Sequence, residues 1–211
     1  MNEKRYEDVR HLAEEGIEQD TGKYAGLVME WKNWLSQLSE VTGDTTSFIQ
    51  INEELFFDRG DMEYYRKLKG IILENDFKVK IEAYIQHFRK RGNAKWGPSF
   101  NQNVAIILEE ENRLDDLMKE IKKAPSLRRL DQYFNLLGQA FKTDFIVLYE
   151  KLIRQYMDAN TGRGKYMECC TYIDKIIQLD GLSIAKTIVN DWRKKFPRRR
   201  AMQEELARYK W

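Results

Sequence analysis

Two histidines, His11 and His87, and two adjacent cysteines, Cys169 and Cys170, are the residues of this chain best suited to nucleophilic, proton-transfer or metal chemistry. Their spacing argues against all three. Neither histidine has a Ser or Cys partner nearby in the sequence, so no nucleophile–base pair is written locally. His87 follows Tyr84 and Ile85 on an apolar helical stripe, a setting that favours a half-buried structural imidazole over a general base. Adjacent cysteines on one helix cannot close a normal disulfide. Zinc needs four ligands around one ion, and two neighbouring thiols with two distant imidazoles do not supply them. No catalytic residue, no metal and no cofactor is expected.

Three further motifs read as local structure. The acidic run Glu109, Glu110, Glu111, Asp115 and Asp116 offers oxygens for a cation, yet it lacks the Gly turn and ligand rhythm of a calcium loop and fits a solvated helix end. Asn160-Thr161-Gly162-Arg163-Gly164-Lys165 has the amides and the Lys of a phosphate loop. A helix precedes it where a strand is required, and Tyr166 stands where Ser or Thr should, so it reads as an interhelical turn. Arg59-Gly60-Asp61 reads as a helix C-cap followed by the next N-cap.

Charge gives the remaining candidates. Net charge is only +2, from 36 Lys and Arg against 34 Asp and Glu, so the whole molecule has no polyanion-binding field. From Lys186 to Trp211, however, nine bases face three acids, a local +6 that leaves the rest of the chain at −4. Arg193, Lys194, Lys195, Arg198, Arg199 and Arg200 are therefore candidate contacts for a partner or for nucleic acid, with Trp192 or Trp211 available to stack bases. A basic helix end also suits the helix dipole without any ligand. Lys95 and Trp96, in a central loop, are secondary contact candidates.

Helices must position all of these residues. Apolar residues recur at helical spacing in Phe145, Leu148, Tyr149, Leu152 and Tyr156, again from Tyr166 through Cys169, Cys170, Ile173 and Ile177, and again in Ala185, Ile188, Val189, Trp192 and Phe196. Each stripe is too short to stay wet, so it packs on the next helix as a repeated hairpin. Upstream, one helix is expected over Glu3–Glu15. A second, Lys23–Leu38, would bury Trp31 and Trp34, and the break Thr42–Ser47 follows it. Asp61 caps one further helix, and Asn75 or Asp76 another that bears Phe77, Ile81, Tyr84, Ile85 and Phe88. Ser126 caps a helix read as Leu127–Phe141, Asp180-Gly181 separates the last two long helices, and Pro197 stops the second.

No β alternation is present. The expected fold is all-α, a stack of antiparallel helical hairpins of irregular α-solenoid type, like tetratricopeptide or HEAT repeats, with ten to twelve helices. Gly97 and Pro98 make 93–100 the candidate hinge between an N-terminal helical half, 1–92, and a C-terminal helical-repeat half, 101–211. No run approaches the roughly 20 apolar residues of a membrane span, the first twenty residues alternate charges, and no disulfide framework exists. A cytoplasmic chain without a membrane partner is expected.

The stretch Ile106-Ile107-Leu108-Glu109-Glu110-Glu111-Asn112-Arg113-Leu114-Asp115-Asp116-Leu117, then Ala124-Pro125-Ser126-Leu127-Arg128-Arg129-Leu130, marks one repeat. Tyr149-Glu150-Lys151-Leu152 through Gly164-Lys165-Tyr166 marks another, and Phe196-Pro197-Arg198-Arg199-Arg200-Ala201-Met202-Gln203-Glu204-Glu205-Leu206 closes the series. Together they resemble the α-helical, tetratricopeptide-like region at the C-terminal end of bacterial and archaeal SWIM zinc-finger proteins, over about half the chain from Val104 onward. The Cys-x-Cys and Cys-x-His spacing of the zinc element itself is absent, so no metal ligand carries over. The resemblance implies a helical-repeat fold and a link to nucleic-acid-associated proteins. The residues themselves favour a non-enzymatic interaction module that binds a protein or peptide partner, with nucleic-acid association through the basic segment as the alternative. The oligomeric state is open.

Overall fold

The structure is a computed structural model that describes residues 3–92 and 99–211. Twelve α-helices and no strand occur among them. They are α1 (Glu3–Asp20), α2 (Ala25–Thr42), α3 (Thr45–Arg59), α4 (Met62–Ile71), α5 (Glu74–Gly92), α6 (Gln102–Glu110), α7 (Leu114–Lys123), α8 (Leu127–Leu137), α9 (Lys142–Ala159), α10 (Arg163–Gln178), α11 (Leu182–Lys195) and α12 (Arg200–Leu206). The described residues form two compact units, 3–92 with 101–107, and 99–100 with 108–211. The hinge expected at 93–100 falls mostly on 93–98, outside the described residues, as do the candidate contacts Lys95 and Trp96.

Three of the turns between helices share one device. Gly43, Asn112 and Asp180 adopt left-handed φ values of 73°, 52° and 66°. Each places two successive amides back on the helix it ends. Gly43 N and Asp44 N donate to Glu40 O and Ser39 O, Asn112 N and Arg113 N to Glu109 O and Leu108 O, and Asp180 N and Gly181 N to Ile177 O and Ile176 O. This is the paired closure of a Schellman turn, which satisfies carbonyls that a helix end would otherwise orphan. At the last of these it is Asp180, not Gly181, that takes the left-handed conformation. Gly181 is needed for clearance, because a Cβ there would lie 2.6 Å from Ile176 Cγ2 and 2.8 Å from Ile176 O.

Three helix starts are capped by side chains, two of them, Asp61 and Ser126, expected from the sequence. Asp44 accepts from Ser47 N at 3.1 Å, Asp61 from Glu63 N at 2.9 Å and Ser126 from Arg129 N at 3.3 Å. The Ser47 hydroxyl and amide, and then Arg10, hold the Asp44 carboxyl below its ordinary range. Gly60 closes α3 at φ 71°, so Arg59-Gly60-Asp61 is the C-cap and N-cap pair that was expected.

In the first unit, consecutive helices from α1 to α4 pack on one another, and α5 packs on α3. Its core is an aromatic cluster in which the Phe56 ring lies 5.4 Å from Tyr65, 5.4 Å from Tyr84 and 5.2 Å from Phe88. In the second unit each helix from α7 to α12 packs on the next, α9 on α11 and α10 on α12. Ion pairs extend this next-but-one pattern, Lys122 of α7 to Asp144 of α9 at 2.7 Å and Lys175 of α10 to Asp131 of α8. Odd- and even-numbered helices thus form two layers over a core that includes Tyr149, Ile153, Cys169, Ile173, Ile188 and Trp192.

Several boundaries depart from the sequence reading. α1 runs five residues past Glu15, and α2 runs to Thr42, so the break shrinks to Gly43 and Asp44. α5 begins at Glu74, ahead of either proposed cap. α8 stops at Leu137, and Phe141 occupies the N-cap of α9. The largest correction concerns Trp34, expected in the core and found 59% exposed. On the side toward α3, α2 presents small polar residues instead. Ser36 and Ser39 are buried, and Asn52 of α3 donates to Ser36 Oγ at 2.9 Å and to Phe48 O at 2.7 Å. Trp31 lies over Gly16 of α1, where a Cβ would fall 2.4 Å from its ring, and donates Nε1–H to Asp20 at 2.9 Å. With these contacts fixing the roll of the helix, Trp34 is left outside.

Ile173 is fully buried at the centre of the second unit. Ile173→Asp places an unpaired carboxylate there and should cost about 3–5 kcal/mol. Chemical denaturation should find the variant largely unfolded, and a midpoint equal to wild type would refute the assigned inner face.

Candidate functional site

The basic run at the C-terminal end divides into two groups once it is folded. Arg193 donates to Leu206 O at 2.8 Å and to Tyr209 O at 2.9 Å, which ties the end of α11 to the end of α12. Lys195 pairs with Asp158 at 2.6 Å. The Arg199 guanidinium stacks 3.9 Å above the Phe196 ring and reaches Met157 O at 3.4 Å. These three cations are engaged within the second unit, Arg193 and Arg199 against main-chain carbonyls and Lys195 in an exposed ion pair. Lys194, Arg198 and Arg200 are exposed and have no partner among the described residues. Trp192 is buried in the core and cannot stack a base, whereas Trp211 is partly open and lies 4.9 Å from the Tyr209 ring. The last residues are docked rather than trailing: the Tyr209 hydroxyl sits 2.9 Å from Cys170 O and 2.9 Å from Asp174 Oδ1.

The residues best suited to chemistry serve packing. Burial pushes the Cys169 thiol up to about 12 and the Cys170 thiol up to about 11, so neither is a thiolate at neutral pH. The His87 ring stacks on Phe57 with centroids 4.1 Å apart, and its buried Nε2 has no hydrogen-bond partner. Burial, and then the Arg91 guanidinium, lower its pKa against the opposing pull of Asp58. In the acidic run, Lys119 and Arg113 grip Asp116 at 2.9 Å and 2.7 Å and hold its carboxyl low. Among the described residues no group of His, Cys, Asp or Glu is arranged to hold a metal ion. Gly162, at φ 108°, starts α10 after a short turn, in keeping with an interhelical reading of 160–165.

Other ionisable groups tie helices to one another. Glu53 of α3 accepts from Lys80 at 2.7 Å and from the Tyr84 hydroxyl at 2.6 Å, both on α5. Asp131 of α8 accepts from Tyr149 of α9 at 3.1 Å and from Lys175 of α10. Burial, followed by the adjoining carboxylate, raises the pKa of both tyrosines.

The feature with no structural use inside the chain lies on the outer side of α1 and α2. Arg5, Tyr6 and Val9 of α1 and Trp34, Gln37, Leu38 and Val41 of α2 line a shallow groove of about 340 Å³. Around it, Val9 is 41% exposed, Leu12 59%, Leu27 42%, Trp34 59% and Val41 68%. Isolated exposed apolar residues are ordinary, whereas several on one hairpin with an exposed Trp among them make this face a candidate contact surface. On the opposite side of α1, by contrast, the cleft toward α3 is polar and closed by the pairs Arg10–Asp44 and Lys32–Glu54. Sequence reasoning missed this surface because it assigned Trp34 to the core. The recurrence of Leu27, Trp34 and Val41 every seven residues was the available signal.

Comparison with known proteins adds no relative: no family model, no curated protein and no solved structure matches this chain.

Two measurements check these assignments. Arg199→Gln should lower the melting temperature by several degrees through loss of its stacking and carbonyl contacts, while Arg198→Gln and Arg200→Gln should leave it nearly unchanged. Equal effects from all three would contradict the division of the basic run. For His87, the folded pKa lies below the unfolded value of roughly 6.5, so the unfolded chain takes up the proton first as pH falls. The stability that neutral His87 provides is present above that value and is lost as pH drops through the folded pKa. His87→Phe, which keeps the ring on Phe57, should flatten the decline in stability between pH 7 and 5.5, and an unchanged slope would refute the assignment.

Proposed function

We infer that this chain is a non-enzymatic helical-repeat interaction module that binds a protein partner presenting an apolar helical surface. The open face of α1 and α2 carries the reading: an exposed Trp accompanied by exposed Val and Leu along an open groove. Hairpin stacks offer extended surfaces of this kind. The resemblance of residues from Val104 onward to the helical region of SWIM zinc-finger proteins agrees with a repeat that works by contact. Free, buried thiols accord with a cytoplasmic setting. No helix among the described residues is long and apolar enough to cross a membrane.

A second reading, nucleic-acid association, rests on Lys194, Arg198 and Arg200, which of the six candidate cations are the three that are exposed and without a partner among the described residues. Three phosphate contacts give weak, salt-sensitive binding, and the engagement of Arg193, Lys195 and Arg199 in the fold makes it the lesser of the two.

The test is retention of proteins from nuclease-treated extract of the source cell on the immobilised chain. Trp34→Glu should abolish specific retention, whereas the triple variant Lys194→Gln, Arg198→Gln and Arg200→Gln should keep it. Retention that disappears with nuclease, or that only the triple variant loses, would overturn the reading in favour of nucleic acid.

A further inference from the structure

We propose that the occupant of the α1–α2 face is the same face of a second copy of this chain, with the two α2 helices antiparallel and the two-fold axis at Trp34. The inference rests on the reading of this face as a docking surface and goes on to name its partner.

The first argument is spacing. Leu27 and Val41 stand seven residues to either side of Trp34, about 10.5 Å along the helix in each direction. A stripe that reads alike from its centre outward is self-complementary under two-fold rotation, the condition an isologous interface imposes. In that register Trp34 meets Trp34 of the second copy, and Leu27 meets Val41 of the second copy at two equivalent places. Val9 and Leu12 of α1 flank the seam and extend it.

Charge gives a second, independent match. Arg5 lines the groove at the Val41 end, and Glu30 lies one turn from Leu27 at the other. Both are exposed and neither has an ion pair among the described residues. The antiparallel register sets the Val41 end of one copy against the Leu27 end of the other, so Arg5 faces Glu30 of the second copy, twice. A parallel arrangement would set like charges together, which fixes orientation as well as partner.

The area suffices. The five apolar residues leave roughly 500 Å² of side chain open, near the upper end for the largest patch of a monomer. With Arg5, Glu30 and Gln37 at the rim, each copy approaches the roughly 800 Å² that one partner contributes to an interface of standard size.

Sedimentation equilibrium on the purified chain should show a dimer that dissociates in the micromolar range or below. Trp34→Glu should raise the dissociation constant at least tenfold, with Leu12→Glu as a second disrupting variant and thermal melts confirming that both remain folded. Arg5→Glu and Glu30→Arg should each weaken the dimer, and together restore it. Cysteines then read the register without touching Trp34, since both native thiols are buried. Under oxidation, Leu27→Cys mixed with Val41→Cys should cross-link, whereas Leu27→Cys alone should not, because its two thiols would lie about 21 Å apart along the seam. Cross-linking of Leu27→Cys alone would overturn the proposed pairing. A monomeric chain at about 100 μM would overturn it too, and if Trp34→Glu still lost a retained protein, the docking reading would stand with a different partner. If Trp34→Glu altered neither mass nor retention, both would fall.

Discussion

A helix of seven to nineteen residues with apolar side chains to bury is not stable by itself in water, and every described helix here inherits that constraint. Those side chains must be covered, and the nearest available cover is the next helix in the chain. Loops of a few residues make successive helices antiparallel, and left-handed residues at Gly43, Asn112 and Asp180 turn the chain back while satisfying the carbonyls it leaves. An inner helix has neighbours before it, after it and next but one. The hairpin α1–α2 packs on α3 along one side, and Val9, Leu12, Trp34 and Val41 on another are left exposed by the described residues.

That asymmetry explains where the chain spends its polar groups. Tyrosines, carboxylates and lysines that in other settings could act as acids and bases are consumed in ties between helices, such as Glu53 with Lys80 and Tyr84, or Asp131 with Tyr149 and Lys175. Such pairs contribute register more than stability, since a helix that slides by one turn loses its partner. The thiols are buried beyond reaction, and the imidazole of His87 is stacked against Phe57. Among the described residues, the first hairpin leaves an apolar face exposed, and Lys194, Arg198 and Arg200 are exposed without a partner.

The C-terminal cations illustrate why a charge run is a poor guide to a binding track. Arg193 and Arg199 reach main-chain carbonyls far along the sequence, and Lys195 reaches Asp158, because helical twist sends neighbours in the sequence toward different elements. Only Lys194, Arg198 and Arg200 keep the freedom that the sequence suggested for all six.

By itself the sequence determined the fold class, most helices and many of the turns between them, because a 3.6-residue apolar period, the caps Asp61 and Ser126, and the breakers Gly60 and Pro197 act within a few residues of themselves. It also placed Cys169, Ile173, Ile188 and Trp192 inside, since their stripes offer a single apolar face. The tertiary structure alone decided which face of α2 turns inward. α2 has apolar residues around much of its circumference, and the choice came from Gly16 making room for Trp31 and from Asn52 finding Ser36, contacts between residues 15 and 16 positions apart that no local pattern contains. Those contacts put Trp34 outside, and the candidate binding surface follows from that one rotation.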